Sequence, residues 1–316
     1  MSTAPLIALM RTEVGQPVPR EVHALYAAFC TQMQRPEGAL AGLFYGSALW
    51  KEPAPDSVWD LYVLVASYRD VSARPLLHIA GACLPPNVYY QEVHEPDGTT
   101  LRGKIAVMTL AQFRRHCAGR VLAPQTWARF AQPSRLIAVA DDSVREHVIA
   151  ALSQAIITFH RATAPWVRAP LSVEAFWQSG LAQTYASEFR AERNSRQQHL
   201  VAASQAAFMA RSKAALCGEI SLPLTFSDGT ITTPMSTSEA RWQRAFQRLR
   251  NRVSKLQHVL RLVKAALTFS GGLDYLVYKI ARHSGVTLTP SAFARAYPLL
   301  GVWPLFIKGW RAGAFR

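Results

Sequence analysis

A short apolar run that ends in a glycine-serine pair constrains the fold of this chain more than any other feature. The run Leu43-Phe44-Tyr45 is followed directly by Gly46-Ser47. A second apolar run opens thirteen residues after the serine, begins with Asp60 and continues to Val65. Apolar runs of this length are typical of strands, and a glycine-serine pair is typical of a tight turn. The pattern predicts a strand, a turn, a proline-bearing loop and a second strand that begins with a carboxylate.

This arrangement resembles the nucleotidyltransferases of the polymerase-β type. In that family the small-residue turn lets the backbone approach a nucleotide triphosphate, and the carboxylate of the next strand holds Mg²⁺ against the phosphates. The usual motif is Asp-x-Asp, because residues i and i+2 of a strand project to the same face and share the metal ions. Tyr62 stands at the second position here, so the motif is incomplete. An ordinary turn before a buried strand explains the same residues about equally well.

Length and composition predict a folded chain with more than one structural unit. Half of the 316 residues are apolar and 10% are aromatic, which is enough for a core and excludes global disorder. The cysteines at 30, 83, 117 and 217 lack metal-ligand spacing, so we expect reduced thiols and no structural zinc. We find neither a signal-peptide pattern nor an apolar window of about eighteen residues, so we expect a cytoplasmic chain without a spanning helix.

The net charge of +15 is concentrated in the last quarter of the chain. Residues 236–316 carry fourteen Lys and Arg against two acids, a net of +12. Residues 1–235 carry 21 Lys and Arg against 18 acids, a net of only +3. A field of this kind predicts an anionic partner, either nucleic acid or an anionic membrane surface.

Hydrophobic periodicity divides the chain into three parts. Strand-like runs alternate with helical segments up to about residue 150, which predicts a nucleotidyltransferase-like α/β (α+β) domain over residues 1–150. The strand-like runs are Leu43–Tyr45, Leu61–Ala66, Val88–Val93 and Lys104–Met108, and the helical segments include Glu21–Met33 and Leu110–Cys117. A helix capped by Asp141-Asp142-Ser143 and running to about Arg161 then leads into a helical domain over residues 151–216.

The third part, residues 217–316, is predicted to be a basic amphipathic helical region that associates with membranes. It opens with a Ser-, Thr-, Pro- and Gly-rich loop or small hairpin, with Asp228-Gly229 as the turn signal. Apolar residues then follow 4-3-4-3 spacing from Trp242 to Leu267, with basic residues at most other positions. Such a helix can lie on anionic lipid, although a core-packing or coiled-coil helix with a basic solvent face explains the pattern as well. The aromatic and basic tail 297–310 suits a membrane interface or the stacking of nucleic-acid bases.

Six segments in collinear order between about residues 43 and 201 carry a second resemblance. They are Tyr45-Gly46-Ser47, Asp60-Leu61-Tyr62-Val63, Asn87-Val88-Tyr89-Tyr90, Arg102–Met108, Trp127–Pro133, and the group Tyr185, Glu188-Phe189-Arg190 and Arg196. Together they resemble the mitochondrial-type phosphatidate cytidylyltransferases, which are peripheral CDP-diacylglycerol synthases with relatives in bacteria. That family also has a single-aspartate strand with an apolar or aromatic residue at i+2. This chain departs from the family in having Glu188 where the family has aspartate.

The resemblance implies transfer of a cytidylyl group from CTP to phosphatidic acid, giving CDP-diacylglycerol and diphosphate in phospholipid biosynthesis. The implied residues are Asp60 and Glu188 for catalysis, Gly46, Ser47 and Arg190 for binding the nucleotide, and Asp60 for Mg²⁺. By charge and position alone, Lys104 and Arg129 are further candidates for binding the nucleotide, and Asp56 is a further candidate for Mg²⁺. Asp56 and Glu188 are alternatives for the second acid, and the resemblance favours Glu188. The implied partners are CTP, phosphatidic acid and an anionic membrane surface without nucleic acid, at the inner membrane face.

Two other classes of function stay open. The first is a nucleotidyltransferase that acts on RNA or a small molecule, with the basic C-terminal region as a clamp. The second is a non-enzymatic membrane-associated protein that kept the fold after losing a carboxylate. Lys51 and Arg135 are further candidate phosphate contacts. His94, His116 and His160 have no paired acid or nucleophile at useful spacing, and we expect no catalytic role for them.

Overall fold

A five-stranded mixed sheet forms the centre of the computed structural model, which describes residues 4–52, 54, 57–185, 201–217, 221–268, 289 and 291. The strands are β1 (Ala39–Tyr45), β2 (Val58–Val65), β3 (Asn87–His94), β4 (Thr100–Thr109) and β5 (Ser134–Val139). Their order across the sheet is β3-β4-β2-β1-β5. Strands β2 and β4 run parallel, and the other neighbouring pairs are antiparallel. The sheet confirms the predicted strand-like runs and a mixed α/β fold.

Helices cover both faces of the sheet. They are α1 (Ala4–Val14), α2 (Arg20–Thr31), α3 (Pro75–Cys83), α4 (Leu110–Cys117), α5 (Gln125–Phe130), α6 (Asp142–Thr163), α7 (Val173–Tyr185), α8 (Gln205–Leu216) and α9 (Thr237–Thr268). Helix α2 lies on one face, where Leu25 packs against Gly103 of β4. Helices α4 and α5 lie on the other face, where Phe113 and Phe130 contact Tyr62 of β2. The second face is the one that carries Asp60, because Asp60 and Tyr62 are two residues apart on the same strand.

Helix α6 begins as its sequence predicts, with an aspartate cap. Asp141 Oδ1 accepts a hydrogen bond from the backbone N–H of Val144 at 2.8 Å, which satisfies one of the free donors of the first turn. The helix runs through residue 150, and one hydrophobic core extends from Leu6 to Ile231 across the described residues. The division into domains at residues 150 and 216 stays a prediction.

A small three-stranded sheet precedes the last helix. It consists of β6 (Leu171–Ser172), β7 (Thr225–Ser227) and β8 (Thr230–Thr232), with β8 in the middle. The turn between β7 and β8 holds Asp228 at φ 49° and Gly229 at φ 75°. Positive φ at both central residues is the type I′ requirement that Asp-Gly meets most readily. The structure thus confirms a small hairpin at the predicted turn.

Helix α9 confirms the predicted long helix but directs its polar side towards the rest of the molecule. Its inward hydrogen bonds include Arg244 Nη1 to the carbonyl of Pro165 (2.6 Å), Gln247 Nε2 to that of Ala162 (2.9 Å) and Asn251 Nδ2 to that of Gln183 (3.2 Å). Further along, Gln125 Nε2 donates to Ser254 Oγ at 3.1 Å. Hydrogen bonds from polar side chains of α9 to backbone carbonyls therefore hold this helix against the rest of the molecule.

The large apolar side chains of α9 that the structure describes are exposed. Trp242, Phe246 and Leu249 are 79%, 64% and 58% exposed, and Val253 and Leu260 continue the same row. We call these five residues the exposed apolar row. A core-packing helix with a basic solvent face is therefore wrong for the side chains that are described. Within the described ranges, no helix has the length and apolarity needed to cross a bilayer.

Candidate functional site

The Gly-Ser turn and Asp60 lie next to each other. Strands β1 and β2 pair antiparallel with Tyr45 opposite Asp60, so the turn that follows Tyr45 comes beside the carboxylate. Gly46 has φ +99°, a conformation that residues with a side chain rarely adopt. A Cβ atom placed on Gly46 would lie 3.1 Å from Asp60 Oδ2. Glycine is therefore required here both by backbone conformation and by the space that the carboxylate occupies.

Ser47 opens a short 3₁₀ turn, Ser47–Leu49, that follows the glycine. The N–H of Leu49 donates to the Gly46 carbonyl at 3.2 Å, and the N–H of Lys51 donates to the Ser47 carbonyl at 2.9 Å. The turn keeps Ser47 half-buried beside the end of β1, whereas Lys51 is exposed at its far side. The pair Gly46-Ser47 can thus present backbone to a ligand at the same place where Asp60 stands.

A row of polar side chains crosses the sheet from Asp60. The parallel register of β2 and β4 pairs Asp60 with Lys104, and the antiparallel register of β4 and β3 pairs Lys104 with Tyr90. Paired residues of neighbouring strands project to the same face of a sheet. All three side chains are half-buried. The structure therefore brings the predicted acid and the predicted phosphate-binding lysine together.

Glu92, on the same face of β3 as Tyr90, is an acid that we did not predict from the sequence. Arg102 Nε lies 3.3 Å from Glu92 Oε1, and the Tyr90 hydroxyl donates to the same oxygen at 2.6 Å. The signal in the sequence was the two-residue spacing of Tyr90 and Glu92, which puts them on one face of a strand. Glu92 stands two strands from Asp60 and is already paired with a cation, so it does not supply the second acid of an Asp-x-Asp motif.

The side chain of Tyr62 packs against other aromatic rings beside Asp60. Its ring is fully buried and meets Phe130 edge-on, with centroids 5.0 Å apart, and the ring of Tyr45 at 5.7 Å. The guanidinium of Arg129 lies over the Tyr45 ring, 5.0 Å from its centroid. The position that holds a second carboxylate in the usual motif is thus occupied by packed aromatic side chains. Arg129 lies on the same face of the sheet as Asp60, as its predicted role requires.

Helix α9 brings a second arginine to this region, which the sequence analysis assigned only to a basic membrane face. Burial raises the pKa of the Tyr62 hydroxyl, and the nearby charges of Arg129 and Arg261 partly oppose this rise. Arg261 Nη1 also donates to Gln125 Oε1 at 3.2 Å. Two guanidinium groups from two different helices therefore lie near the same buried tyrosine, which projects from the face of the sheet that carries Asp60.

Lys264, one turn further along α9, is buried against the loop before β3. Its Nζ donates to the carbonyls of Leu84 and Pro86 and, at 3.0 Å, to Asn87 Oδ1. Burial and the neighbouring Arg261 lower the pKa of Lys264 to about 7. This lysine anchors the end of the helix, and it was also missing from the predicted site.

Three predicted site residues fall outside the described part of the chain, and one further candidate, Arg135, lies away from this cluster. Asp56, Glu188 and Arg190 lie outside the described residues, so their predicted roles stay predictions. Arg135 of β5 pairs with Phe44 and donates to the carbonyl of Pro17, which places it on the opposite face of the sheet from Asp60. Lys51 contributes its backbone N–H to the turn after β1, and its side chain is exposed.

Two histidines, His116 and His160, are buried among the helices. His160 is fully buried, with Nδ1 2.9 Å from the Ile156 carbonyl and Nε2 3.2 Å from Ser212 Oγ. His116 is buried as well, with Nδ1 3.2 Å from Thr126 Oγ1. Burial lowers the pKa of both imidazoles to about 4. Both imidazoles are therefore neutral near pH 7, and the expectation that they take no part in catalysis stays a prediction.

The described residues offer one carboxylate to a metal ion at this site. In the described part of the chain, no group of three or more His, Cys, Asp or Glu could hold a metal. Magnesium in nucleotide-binding sites is commonly held by one or two carboxylates together with substrate phosphates and water. Asp60 beside the Gly46-Ser47 turn fits the protein's part of such a site, with the remaining ligands coming from a triphosphate.

Fold and site together define a mixed α/β protein with a glycine turn, an aspartate and a lysine on one face of its sheet. No protein-family model matches the chain, and no curated protein matches it. Its function is therefore inferred from its own residues and their geometry.

Proposed function

We propose that this protein is a phosphatidate cytidylyltransferase. A phosphate oxygen of phosphatidic acid attacks the α-phosphorus of CTP, the bond from that phosphorus to the bridging oxygen breaks, and pyrophosphate leaves. The observation that carries the proposal is Gly46, at φ +99°, against the carboxylate of Asp60. A turn that only glycine accommodates, next to a half-buried acid at the start of a strand, suits a triphosphate and its metal.

The roles of the other residues follow from charge and position. Gly46 and Ser47 would bind phosphate oxygens through backbone N–H groups and the serine hydroxyl, and Lys104 and Arg129 would neutralise phosphate charge from the same face. Asp60 would hold Mg²⁺, which when bound withdraws charge from the departing pyrophosphate. Because the reaction needs no covalent intermediate, positioning and charge neutralisation supply most of the catalysis.

Glu188 and Arg190 are proposed to complete the cleft, with Asp56 as the other candidate for a second acid. A carboxylate and an arginine from outside the sheet would supply what the strand lacks at Tyr62. Substitution of each acid separately by its amide identifies the partner of Asp60. The larger loss of turnover marks the second metal ligand.

The exposed apolar row supports a lipid substrate. Phosphatidic acid stays in the bilayer, so an enzyme that uses it must dock on the membrane surface. Trp242, Phe246 and Leu249 present apolar surface along one side of α9, and basic residues flank it. This combination is typical of helices that lie in the interface of an anionic bilayer.

The test is CTP-dependent release of pyrophosphate by the purified chain, with nucleotide and lipid varied separately in mixed micelles. Asp60→Asn removes the metal-binding charge at constant size, and we expect turnover to fall on the order of 10²-fold or more. Asp97→Asn is the matched control, because Asp97 is exposed on the β3–β4 turn. Normal turnover in the Asp60 variant would make that residue structural and end the proposal.

A second candidate is a membrane-associated protein of the same fold without catalytic activity. The observation that favours it is Tyr62, whose buried ring fills the place of the second carboxylate. Liposome binding without pyrophosphate release from any nucleotide would select it. A nucleotidyltransferase acting on RNA or a small molecule would instead release pyrophosphate without phosphatidic acid.

A further inference from the structure

A cavity lies at the start of helix α9, far from Asp60. Its volume is about 520 Å³, and it is bounded by residues 167–170, strand β8 and the first two turns of α9. Arg241 lines this cavity, whereas Arg261 of the same helix lies near Tyr62. Twenty residues of continuous helix separate the two arginines by about 30 Å. The cavity is therefore distinct from the site proposed for nucleotidyl transfer.

The charged side chains that line this cavity are all positive among the described residues. Arg168, Arg241 and Arg244 line it, and no acidic side chain is among its lining residues in the part of the chain that the structure describes. Burial lowers the pKa of Arg244, and the neighbouring cations Arg168, Arg248 and Arg241 lower it further. Like charges that are held together without counter-charge cost stability unless an anion joins them.

One of the three arginines is fixed in place. Arg244 is 9% exposed, and its Nη1 donates to the carbonyl of Pro165 at 2.6 Å. Arg168 and Arg241 are exposed and line the same cavity. A planar guanidinium matches two phosphate oxygens at once, and one that is already oriented loses little entropy on binding.

The backbone at the start of the helix adds partial positive charge, which the carboxylate of Glu239 in the first turn partly offsets. Thr237, the first residue of α9, lines the cavity, as does Thr233 beside strand β8. Ser236 Oγ accepts from the N–H of Glu239 at 3.2 Å and satisfies one donor of the first turn. Other N–H groups of a first helical turn carry partial positive charge that attracts anions. This effect supplements the arginines and does not replace them.

The position of the cavity favours a soluble ligand over a lipid headgroup. Each helical residue turns about 100° from the last, so Arg244 and Phe246 project from α9 about 200° apart. A bilayer that contacts the exposed apolar row would have the width of the helix, about 10 Å, between itself and the cavity. A phosphate group of that bilayer could not reach Arg244 while the row is buried in lipid.

We propose that this cavity binds a soluble, phosphate-bearing small molecule. Cavities of about 300 to 1,000 Å³ are the usual size for metabolites and cofactors. Three guanidinium groups balance the charge of a diphosphate, and the threonine hydroxyls add neutral hydrogen bonds. The proposal does not rest on the cytidylyltransferase function, because it concerns another part of the molecule and none of the residues assigned to that reaction.

Isothermal titration of the full chain with sodium pyrophosphate and with inorganic phosphate tests the proposal. EDTA is present, so that a metal-dependent site at Asp60 does not contribute. We expect saturable binding of pyrophosphate that weakens about tenfold or more in the double variant Arg168→Gln, Arg241→Gln.

Arg252→Gln is the matched control, because Arg252 is exposed on the same helix and does not line the cavity, and its loss removes one charge of the same kind. We expect its affinity to stay within about twofold of the wild type.

Three outcomes would overturn the proposal. They are the absence of saturable binding to either anion, unchanged affinity in the double variant, and an equal loss in Arg252→Gln, which would indicate general attraction by the basic helix. In a second arm, anionic vesicles are added to the chain before titration. Competition between the vesicles and pyrophosphate would identify a lipid headgroup as the occupant and also contradict a soluble ligand. Undiminished pyrophosphate binding by Asp60→Asn, together with lost CTP turnover, would separate this site from the first.

Discussion

At the scale of single residues, the unusual backbone conformation of Gly46 leaves room for the carboxylate of Asp60, the proposed metal ligand. The carboxylate occupies the space into which a side chain at position 46 would project. A motif of a few residues was enough to predict that the turn at Gly46 lies beside Asp60. Two consecutive strands that form an antiparallel pair are neighbours because only a short connection separates them. The aromatic residue at Tyr62 was visible in the sequence as well, and its burial shows that it is part of the core.

Gly46→Ala should remove catalytic activity well beyond its effect on stability. The positive φ of Gly46 costs alanine on the order of 1 kcal/mol, and the added Cβ would press on Asp60 Oδ2 from 3.1 Å. Gly98→Ala is a matched control, because Gly98 has φ +84° and a Cβ added there would meet nothing within 4 Å. Urea denaturation should show a loss of stability in both variants, larger in Gly46→Ala because only its Cβ meets a neighbour, while pyrophosphate release falls only in Gly46→Ala. Equal activity in the two variants would contradict the placement of the site.

At the scale of secondary-structure elements, the sequence predicted what is local and left open what packing decides. The predicted strands and the helix after Asp141 exist because their periodicity and caps are contained in their own residues. The parallel pairing that sets Lys104 beside Asp60 joins strands far apart in the chain, and periodicity gives no register for such a pair. The same holds for α9, whose amphipathic pattern does not say which side faces the body.

We expect Lys264 to make the attachment of this helix depend on pH. Its pKa in the folded chain, about 7, lies below the ordinary value of 10.5. Between these values the unfolded chain binds one proton more than the folded chain, so this group makes the free energy of unfolding rise with pH. The slope is at most about 1.4 kcal/mol per pH unit. Lys264→Met removes the contribution, so the stability difference between wild type and variant should increase from about pH 6.5 to about 8.5.

Urea denaturation at about three pH values in that range measures this difference. Lys213→Met serves as the control, because Lys213 is exposed on α8. Its stability difference from the wild type should stay flat over the same range. A Lys264→Met difference that is flat or that decreases with pH would show that the lysine is not held in a desolvated environment.

At the scale of the whole molecule, the exposed apolar row should make the protein a peripheral membrane protein. We expect it to sediment with liposomes that contain phosphatidic acid, less at high salt, because the basic residues near the surface each contribute about 1 kcal/mol that salt screens. The double variant Trp242→Ser, Phe246→Ser should lose most of this binding. Leu76→Ser, Ile79→Ser is the control, since those residues of α3 are also highly exposed, at 63% and 61%. Equal losses in both variants would exclude α9 as the docking element.

The way α9 is attached has a consequence for the thermodynamics of the molecule. Many of its described contacts with the rest of the molecule are hydrogen bonds from polar side chains, and the exposed apolar row is already in contact with solvent. The heat-capacity change and the denaturant m-value of an opening reaction both scale with the surface area that the opening newly exposes to solvent. Detachment of this helix would therefore carry a small heat-capacity change and a small m-value. Native-state hydrogen exchange should detect α9 opening as a subglobal unit, at urea concentrations that leave the protection of the central sheet unchanged.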